Sequence, residues 1–425
     1  MPFIILLLLV LSYFLHLTSR IPLLGMVRFD LVLMLMLSGA LLLQRREHDT
    51  SAESDNIKRR LLIFIGFFVV TIPLVRWPGS VLWFGIEFYL KVVLFFFFIT
   101  AFVKTEKQLK IFVGVLIGCQ VFRGLEPVYL YMTTGYLPEV AYSLGGKNGL
   151  GRLAGAPHDV ISANPYAWVI VTTIPFLYYH CWSGKIYLKL LTLAVLGFLG
   201  YGLVLSGSRT GLVIIVVVVL AIAYFSQKKT RGIIVALALV LGVGYFVAGV
   251  LSPELSQRYL SLVDSSAVGA STAQGRMNGI NRAVTSVSNI HGLLGHGLNT
   301  SKEVNANYFG SAQVTHNIYL ELLQEVGIVG FILYFLYVKT MFMSLHSAAS
   351  RLASESFLGR LASALKAWIV MNLVYGLACF GLSSWEWYVF GGVAAACVNI
   401  MNKQENVPAA TELTFDFEQQ TGERI

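Results

Sequence analysis

The chain has 425 residues, of which 56% are hydrophobic and 12% are charged, and its mean hydropathy is +0.71. This composition excludes an ordinary soluble domain, because such domains carry about 25% charged residues. The net charge of +9 comes largely from lysines and arginines in short connecting segments, which indicates membrane topology and argues against nucleic acid binding. The four cysteines have no metal-ligand spacing and no paired pattern, so we interpret them as packing residues.

Successive apolar runs of about 17–25 residues predict membrane-spanning helices. We predict an all-α integral membrane protein with about twelve spans, near residues 3–17, 21–43, 61–72, 81–103, 111–132, 166–181, 188–205, 212–225, 233–251, 316–344, 367–382 and 389–401. The first run lacks a basic start and a small-residue cleavage site, so we expect a retained helix and not a removed signal peptide.

Lysines and arginines fall in every second connection, and these connections are short. They include Arg45, Arg46, Lys58, Arg59, Arg60, Lys104, Lys107, Lys110, Lys185, Lys189, Lys228, Lys229, Arg231, Arg351, Arg360 and Lys366. The bias predicts that this side and both termini are cytoplasmic. The chain then divides into N-terminal helices (1–132), a glycine-rich outer loop (133–165), central helices (166–251), a large outer loop (252–315), C-terminal helices (316–402) and a cytoplasmic tail (403–425).

The large outer loop is the longest polar stretch and the only candidate for an extramembrane subdomain. Ser252-Pro253 is typical of a helix start. The run from Ser271 to Gln274 has capping-box spacing and predicts a second helix, with Arg276 in its second turn. A guanidinium group beside the exposed N–H groups of a helix start suits an anion.

Two further arginines lie on the outer side, where the charge bias makes arginine uncommon. Arg209 sits in a tight turn, Ser206 to Gly211, between two predicted spans. It is either a surface residue or, at the membrane edge, a ligand for a lipid diphosphate, and we favour the second reading. Arg152 precedes Asn164-Pro165 in the glycine-rich loop, and a turn-rich connector explains it equally well.

His316 stands where the large outer loop gives way to an apolar run. Gly327 and Gly330 follow three residues apart, and this spacing predicts that both lie on one helix face that packs closely against a neighbour. One interpretation is that the histidine simply caps the helix or snorkels to the interface. However, the helix dipole and the outer arginines disfavour imidazolium, and a neutral imidazole is what a general base requires at pH 7.

Charged residues also lie inside two apolar helices. Glu87 and Lys91 are spaced i,i+4, and Arg123 and Glu126 are spaced i,i+3, so each set can form an ion pair with its own neighbour. A different class of protein, a polysaccharide transporter or flippase, would use the same four as a midplane path. His158 and Asp159 are interpreted as loop residues. Neither outer segment has metal-ligand spacing, so we expect no metal and no cofactor.

Together these features resemble the superfamily of O-antigen ligases and polymerases, bacterial membrane glycosyltransferases. The resemblance rests on His316-Asn317 followed, after nine intervening residues, by Gly327-x-x-Gly330. Ser208 to Gly211, Gly275-Arg276, the glycine turn Leu294 to Gly297, and Arg152 through Asn164-Pro165 support it. Many members have a tryptophan shortly after the loop arginine, where this chain has Gly279-Ile280-Asn281.

The resemblance implies a GT-C-like fold in the bacterial inner membrane, with the active site on the periplasmic face. It implies transfer of a glycan from undecaprenyl diphosphate to an acceptor hydroxyl, with Arg209 and Arg276 binding the diphosphate and His316 as base. The lipid A-core is the favoured acceptor, as in an O-antigen ligase. A polymerase acting on a second carrier-linked glycan and a protein O-oligosaccharyltransferase remain alternatives. Arg152, Lys91 and Glu325 are second-tier residues that could reach an outer cavity.

Overall fold

The computed structural model describes residues 1–44, 51–141, 150–181, 184–226, 259, 270–287, 291–310, 312, 316–353, 355–379 and 381–422. Its α-helices are Pro2–Phe14, Leu17–Arg20, Pro22–Met26, Phe29–Leu43, Ala52–Thr71, Pro78–Ser80, Ile86–Phe102, Glu106–Thr134, Ala163–Cys181, Ile186–Leu205, Arg209–Phe225, Ala270–Val287, His291–Leu294, Ser301–Phe309, Ile318–Ser350, Phe357–Tyr375 and Glu386–Gly422. A 3-10 turn (Ile72–Leu74), a π-helical turn (Val81–Gly85) and one antiparallel strand pair, Glu139–Ala141 with Leu150–Arg152, complete the described elements. The predicted all-helical class is confirmed for these residues.

Five described helical stretches are long and apolar enough to cross a membrane. They are Pro78–Phe102, Glu106–Thr134, Ile186–Leu205, Ile318–Ser350 and Phe357–Tyr375, and three shorter apolar helices accompany them, Pro2–Phe14, Phe29–Leu43 and Arg209–Phe225. Large apolar side chains such as Trp83 and Val70 face outward, 78% and 72% exposed, as lipid contact requires. The chain is therefore a membrane-embedded protein, while twelve spans stay a prediction.

Each predicted span overlaps a described helix, except the one at 233–251, which lies outside the described residues. The span predicted at 367–382 is displaced, because its helix is Phe357–Tyr375. Ser356 starts this helix by accepting a hydrogen bond from the Gly359 N–H at 3.1 Å. The prediction started this span too late, because the charge of Lys366 suggested that the residue lay in a connecting loop. In the structure the ammonium group lies over the Phe225 ring, 5.2 Å from its centroid.

Aromatic side chains fill the centre of the helix bundle. Trp368, Tyr334, Tyr337 and Tyr388 are fully buried. The hydroxyl of Tyr337 donates to the Trp387 carbonyl at 3.0 Å, and that of Tyr388 donates to the Leu382 carbonyl at 2.7 Å. These bonds satisfy the hydroxyl groups of Tyr337 and Tyr388 inside an apolar interior, and the Tyr337 bond joins the start of the helix Glu386–Gly422 to the helix Ile318–Ser350.

The connections between helices gather at two opposite ends of the bundle. At one end, Arg351 pairs with Glu53 at 2.8 Å, and the Asn402 amide donates to Glu53 at 3.1 Å. At the other end lie the strand pair, the turn before Arg209, the glycine turn after Leu294, and His316. The segments that the sequence placed on the outer side therefore meet at one end.

Candidate functional site

His316 lies just before the helix Ile318–Ser350, and its side chain is exposed. Asn317 caps the helix: its side-chain oxygen accepts hydrogen bonds from the N–H groups of Tyr319 at 3.0 Å and Leu320 at 3.2 Å. Its amide donates to the Leu377 carbonyl at 3.1 Å, and the Ile318 N–H donates to the Gly376 carbonyl at 2.8 Å. The backbone beside His316 is thus fixed to the end of a second helix.

Gly327 interrupts the helix that His316 precedes. Its φ of 65° and ψ of −174° are non-helical, so the prediction that Gly327 and Gly330 share one continuous helix face is wrong. The conformation is one that only glycine adopts readily. Close approach does occur: a Cβ on Gly327 would lie 2.4 Å from the Leu293 carbonyl oxygen, and one on Gly330 would lie 3.1 Å from the Phe67 ring.

The glycine turn after Leu294 packs into this break. Gly295 and Gly297 have φ values of 81° and 125°. His296 binds the Gln324 carbonyl twice, through its backbone N–H at 2.8 Å and its ring Nδ1 at 3.0 Å. A carbonyl only accepts, so Nδ1 carries the proton. Burial lowers the pKa of His296, which keeps its ring neutral at pH 7. The turn therefore holds the large outer loop to the helix start beside His316.

Glu325 is buried where the glycine turn meets the helix. Its carboxylate accepts hydrogen bonds from the backbone N–H groups of Asn299 at 2.8 Å and Ser301 at 3.3 Å. The helix Ser301–Phe309 begins there, so Glu325 satisfies backbone N–H groups at the start of that helix.

Arg209 is the first residue of the helix Arg209–Phe225 and is partly buried. The turn before it includes Gly207, with a φ of 58°. Ser208 caps the helix by accepting from the Gly211 N–H at 3.2 Å, and its own hydroxyl donates to the Asn164 side-chain oxygen at 3.0 Å. These contacts place Arg209 at a helix start, where backbone N–H groups and a positively charged residue coincide.

Arg152 is buried and joins the glycine-rich loop to the turn before Arg209. Its guanidinium donates to the Ser206 carbonyl at 2.8 Å, to the Asn164 side chain at 3.4 Å, and to Glu139, its partner across the strand pair. The second Glu139 oxygen accepts from the Ala163 N–H at 2.6 Å. Sequence reasoning missed Glu139, because its contact with Arg152 depends on the pairing of two strands that are not adjacent in the chain.

Arg276 lies in the second turn of the helix Ala270–Val287, which begins one residue before the predicted capping box. Its side chain, like residues 252–258 with their predicted helix start, lies outside the described part of the structure. Lys91 pairs with Glu87 at 2.6 Å on the surface of its helix, with about half of each side chain exposed. This predicted i,i+4 ion pair is confirmed.

The predicted pairing of Arg123 with Glu126 is wrong. Arg123 instead forms a bidentate bond to Asp159, with distances of 2.6 and 3.0 Å, and Glu126 binds Arg20. A bidentate guanidinium–carboxylate contact is stronger than an i,i+3 helix pair. His16 adds a contact to Asp159 at 3.1 Å. Burial alone would raise the pKa of Asp159, but the hydrogen bonds from His16 and Arg123 lower it to about 2.

These contacts also bear on the transporter reading. Lys91 and Glu87 pair on the outer surface of one helix, whereas Arg123 and Glu126 bind partners from other segments. The four charges therefore occupy three separate ion pairs. Sequence reasoning missed His16 and Arg20. One signal was available for Arg20, because the predicted topology puts it on the same side as Arg209.

A hollow of about 180 Å³ lies among four helix ends at the His316 end of the bundle. Its lining residues are Pro165, Trp168, Ile318, Asn372, Tyr375, Gly376, Cys379, Gly381, Ser384, Glu386 and Trp387. Ile318 is two residues from His316. On the other wall, the Tyr375 hydroxyl donates to the carbonyl of Asn164 at 3.3 Å, and the Asn164 side chain binds Ser208. The helix start beside His316 therefore borders this hollow, whereas the turn before Arg209 is connected to its wall through Ser208, Asn164 and Tyr375.

Residues 193–335 match the family described as O-Antigen ligase. No protein of curated function matches the chain. The matched region contains Arg209, Arg276 and His316, together with Gly327 and Gly330. This family implies a glycosyltransferase-type enzyme that acts on glycans and lipid-linked substrates. The match over residues 193–335 therefore supports the O-antigen ligase and polymerase superfamily that the sequence motifs predicted.

Proposed function

We propose that this protein is an inner-membrane glycosyltransferase of the O-antigen ligase type. It moves a glycan from undecaprenyl diphosphate to a hydroxyl of the lipid A-core, on the periplasmic face and without a metal ion. One observation carries the proposal: the family match spans Arg209, Arg276 and His316. The structure adds that the helix start beside His316 borders a hollow, and that hydrogen bonds through Asn164 link the wall of this hollow to the turn before Arg209.

Arg209 and Arg276 bind the diphosphate of the donor. As the bond to the sugar breaks, negative charge grows on the departing diphosphate and the sugar carbon becomes oxocarbenium-like. Fixed cations near the diphosphate then stabilise the transition state more than the ground state. The start of the helix Arg209–Phe225 adds backbone N–H groups to the same task.

His316 acts as the general base that takes the proton from the attacking hydroxyl. Its exposed ring stands at a helix start, where the dipole favours the neutral form. With one base and no enzyme nucleophile, a single displacement inverts the configuration at the sugar carbon, by analogy with inverting glycosidases.

The test uses purified protein with undecaprenyl-diphosphate-linked glycan, in the presence of a metal chelator. Three acceptors are offered separately: lipid A-core, a second carrier-linked repeat unit, and a serine-containing protein acceptor. We expect glycosylated lipid A-core. Product from the second acceptor alone identifies a polymerase, and product from the third alone a protein glycosyltransferase. Absence of product from all three contradicts the enzymatic proposal.

The role of His316 is tested with a matched pair of variants. His346 is exposed near the opposite end of the same helix, so His346→Ala controls for loss of a histidine. We expect His316→Ala to lower the transfer rate by roughly 100-fold or more, the usual contribution of a general base, and His346→Ala to leave it unchanged. A His316→Ala rate equal to wild type refutes the base assignment.

The diphosphate role of Arg276 has a similar control. Arg282 lies on the same helix, where its Nε donates to the Asn278 carbonyl at 3.3 Å. We expect Arg209→Ala and Arg276→Ala to abolish transfer and Arg282→Ala to preserve it. If Arg209 and Arg276 are dispensable while Lys91 and Arg123 are essential, the transporter reading is preferred.

A further inference from the structure

The hollow beside His316 has the chemistry of a sugar-binding site. Three aromatic side chains, Trp168, Tyr375 and Trp387, form part of its wall. The weakly positive C–H groups of a pyranose ring pack against such electron-rich faces. Asn372 and Glu386 add an amide and a carboxylate, which are hydrogen-bonding partners for hydroxyl groups. A few polar groups set among aromatic walls are typical of a small-molecule site.

Glu386 supplies an independent indication of a ligand. Its Oε2 atom is buried and has no hydrogen-bond partner among the described residues. A buried polar atom without a partner is costly, so such atoms are normally satisfied by protein, ordered water or ligand. Because the residue lines the hollow, a hydroxyl of a bound molecule can supply the missing bond.

The volume of the hollow limits the size of its occupant. At about 180 Å³, it slightly exceeds a cavity of about 150 Å³ that accommodates a benzene ring. One six-membered sugar ring therefore fits, and any second ring must extend outside.

The charges of the residues that line the hollow favour the sugar of the acceptor over the sugar of the donor. None of the described lining residues is a lysine, arginine or histidine. A sugar attached to a diphosphate would therefore find no cation among them to balance its charge. Arg209, in contrast, is not among these lining residues; it follows Ser208, whose hydroxyl binds the Asn164 side chain. A neutral sugar without a phosphate is the matching occupant.

We infer that this hollow binds the terminal pyranose of the acceptor, with Glu386 hydrogen-bonded to one of its hydroxyl groups. This assignment to the acceptor rests on the proposed glycosyl transfer. Ile318 in the wall is two residues from His316, so the bound ring presents a hydroxyl near the proposed base.

Binding is tested without transfer, on purified wild-type protein in detergent. The intrinsic fluorescence of Trp168 and Trp387 reports titration with methyl α-glucoside, methyl α-galactoside and glucose 1-phosphate. We expect at least one neutral glycoside to bind, at least tenfold more tightly than the phosphate. No binding by either glycoside, or equal or tighter binding of the phosphate, overturns the inference.

Variants locate the site. Glu386→Leu removes both carboxyl oxygens from a side chain of similar size, and we expect it to weaken glycoside binding at least tenfold. Glu386→Gln keeps an amide that can bond a hydroxyl, so we expect its affinity for the glycoside to stay within about threefold of wild type. Glu303→Leu, from the helix Ser301–Phe309, is the matched control and should bind normally. Unchanged binding by Glu386→Leu overturns the assignment. If that variant does not fold, the preference for neutral over phosphorylated sugar decides the question.

The same titration separates this inference from the proposed function. His316→Ala should bind the glycoside as wild type does, even though it transfers nothing. Glycoside binding that depends on Glu386 supports the sugar site whether or not wild-type protein transfers glycan. Transfer to lipid A-core with normal activity in Glu386→Leu supports the proposed function and overturns the sugar site.

Discussion

Replacing Gly327 with alanine tests whether the helix break organises the site. The backbone at φ 65° and ψ −174° costs a residue with a Cβ about 1–3 kcal/mol. The added carbon would lie 2.4 Å from the Leu293 carbonyl oxygen and 2.6 Å from the Gly295 nitrogen. Both are backbone atoms of a turn that is hydrogen-bonded to Gln324 and Glu325, so the turn must move, at a further cost of about 1–3 kcal/mol.

The sum, about 2–6 kcal/mol, corresponds to a fall in melting temperature of roughly 4–12 °C at about 2 °C per kcal/mol. Thermal unfolding of purified protein in one detergent measures it. Gly118→Ala is the control, because Gly118 lies inside the helix Glu106–Thr134 with nothing within 4 Å of an added Cβ, and alanine there should not destabilise. Melting of Gly327→Ala within about 1 °C of wild type would refute the reasoning.

Three further substitutions test the buried charges of the same end. Asp159→Asn leaves the buried Arg123 without its counter-charge, and we expect a loss of about 3–5 kcal/mol, measured by thermal unfolding. The pKa of Asp159 in the folded protein is about 2, below its value in the unfolded chain. The stabilisation that Asp159 contributes is therefore present at neutral pH and is lost only as the pH falls from about 4 to about 2. Melting curves at pH 7 and pH 5 should show the same difference between wild type and Asp159→Asn. Glu139→Gln weakens the hold on Arg152 and should increase proteolysis of the glycine-rich loop. Glu325→Ala removes the acceptor of two N–H groups, and faster hydrogen exchange at residues 299–301 is expected; unchanged exchange there contradicts the capping role.

The sequence predicted the features that depend on local pattern. Apolar length located the helices, and the glycine and serine run before Arg209 located the turn between two of them. The i,i+4 spacing of Glu87 and Lys91 predicted their ion pair, because both partners lie on one helix. The motif around His316 predicted the family, which the match over residues 193–335 confirms.

The features that sequence reasoning missed depend on distant segments. Arg123 has a carboxylate three residues away, yet it binds Asp159, which is 36 residues away. The spacing of Gly327 and Gly330 fits a packing face, and only contact with the turn after Leu294 reveals a positive φ. Glu386 lies just before a predicted span. The hollow that it lines forms only where helix ends that are distant in the sequence come together.

The break at Gly327 also bears on how the last part of the chain matches a bilayer. A straight helix of 33 residues would be about 50 Å long, roughly 20 Å more than the hydrocarbon core. Residues 328–350, beyond the break, extend about 35 Å at 1.5 Å per residue, close to that thickness with modest tilt. A single glycine thus relieves the hydrophobic mismatch and leaves the first turns of the helix at the depth of the lipid headgroups.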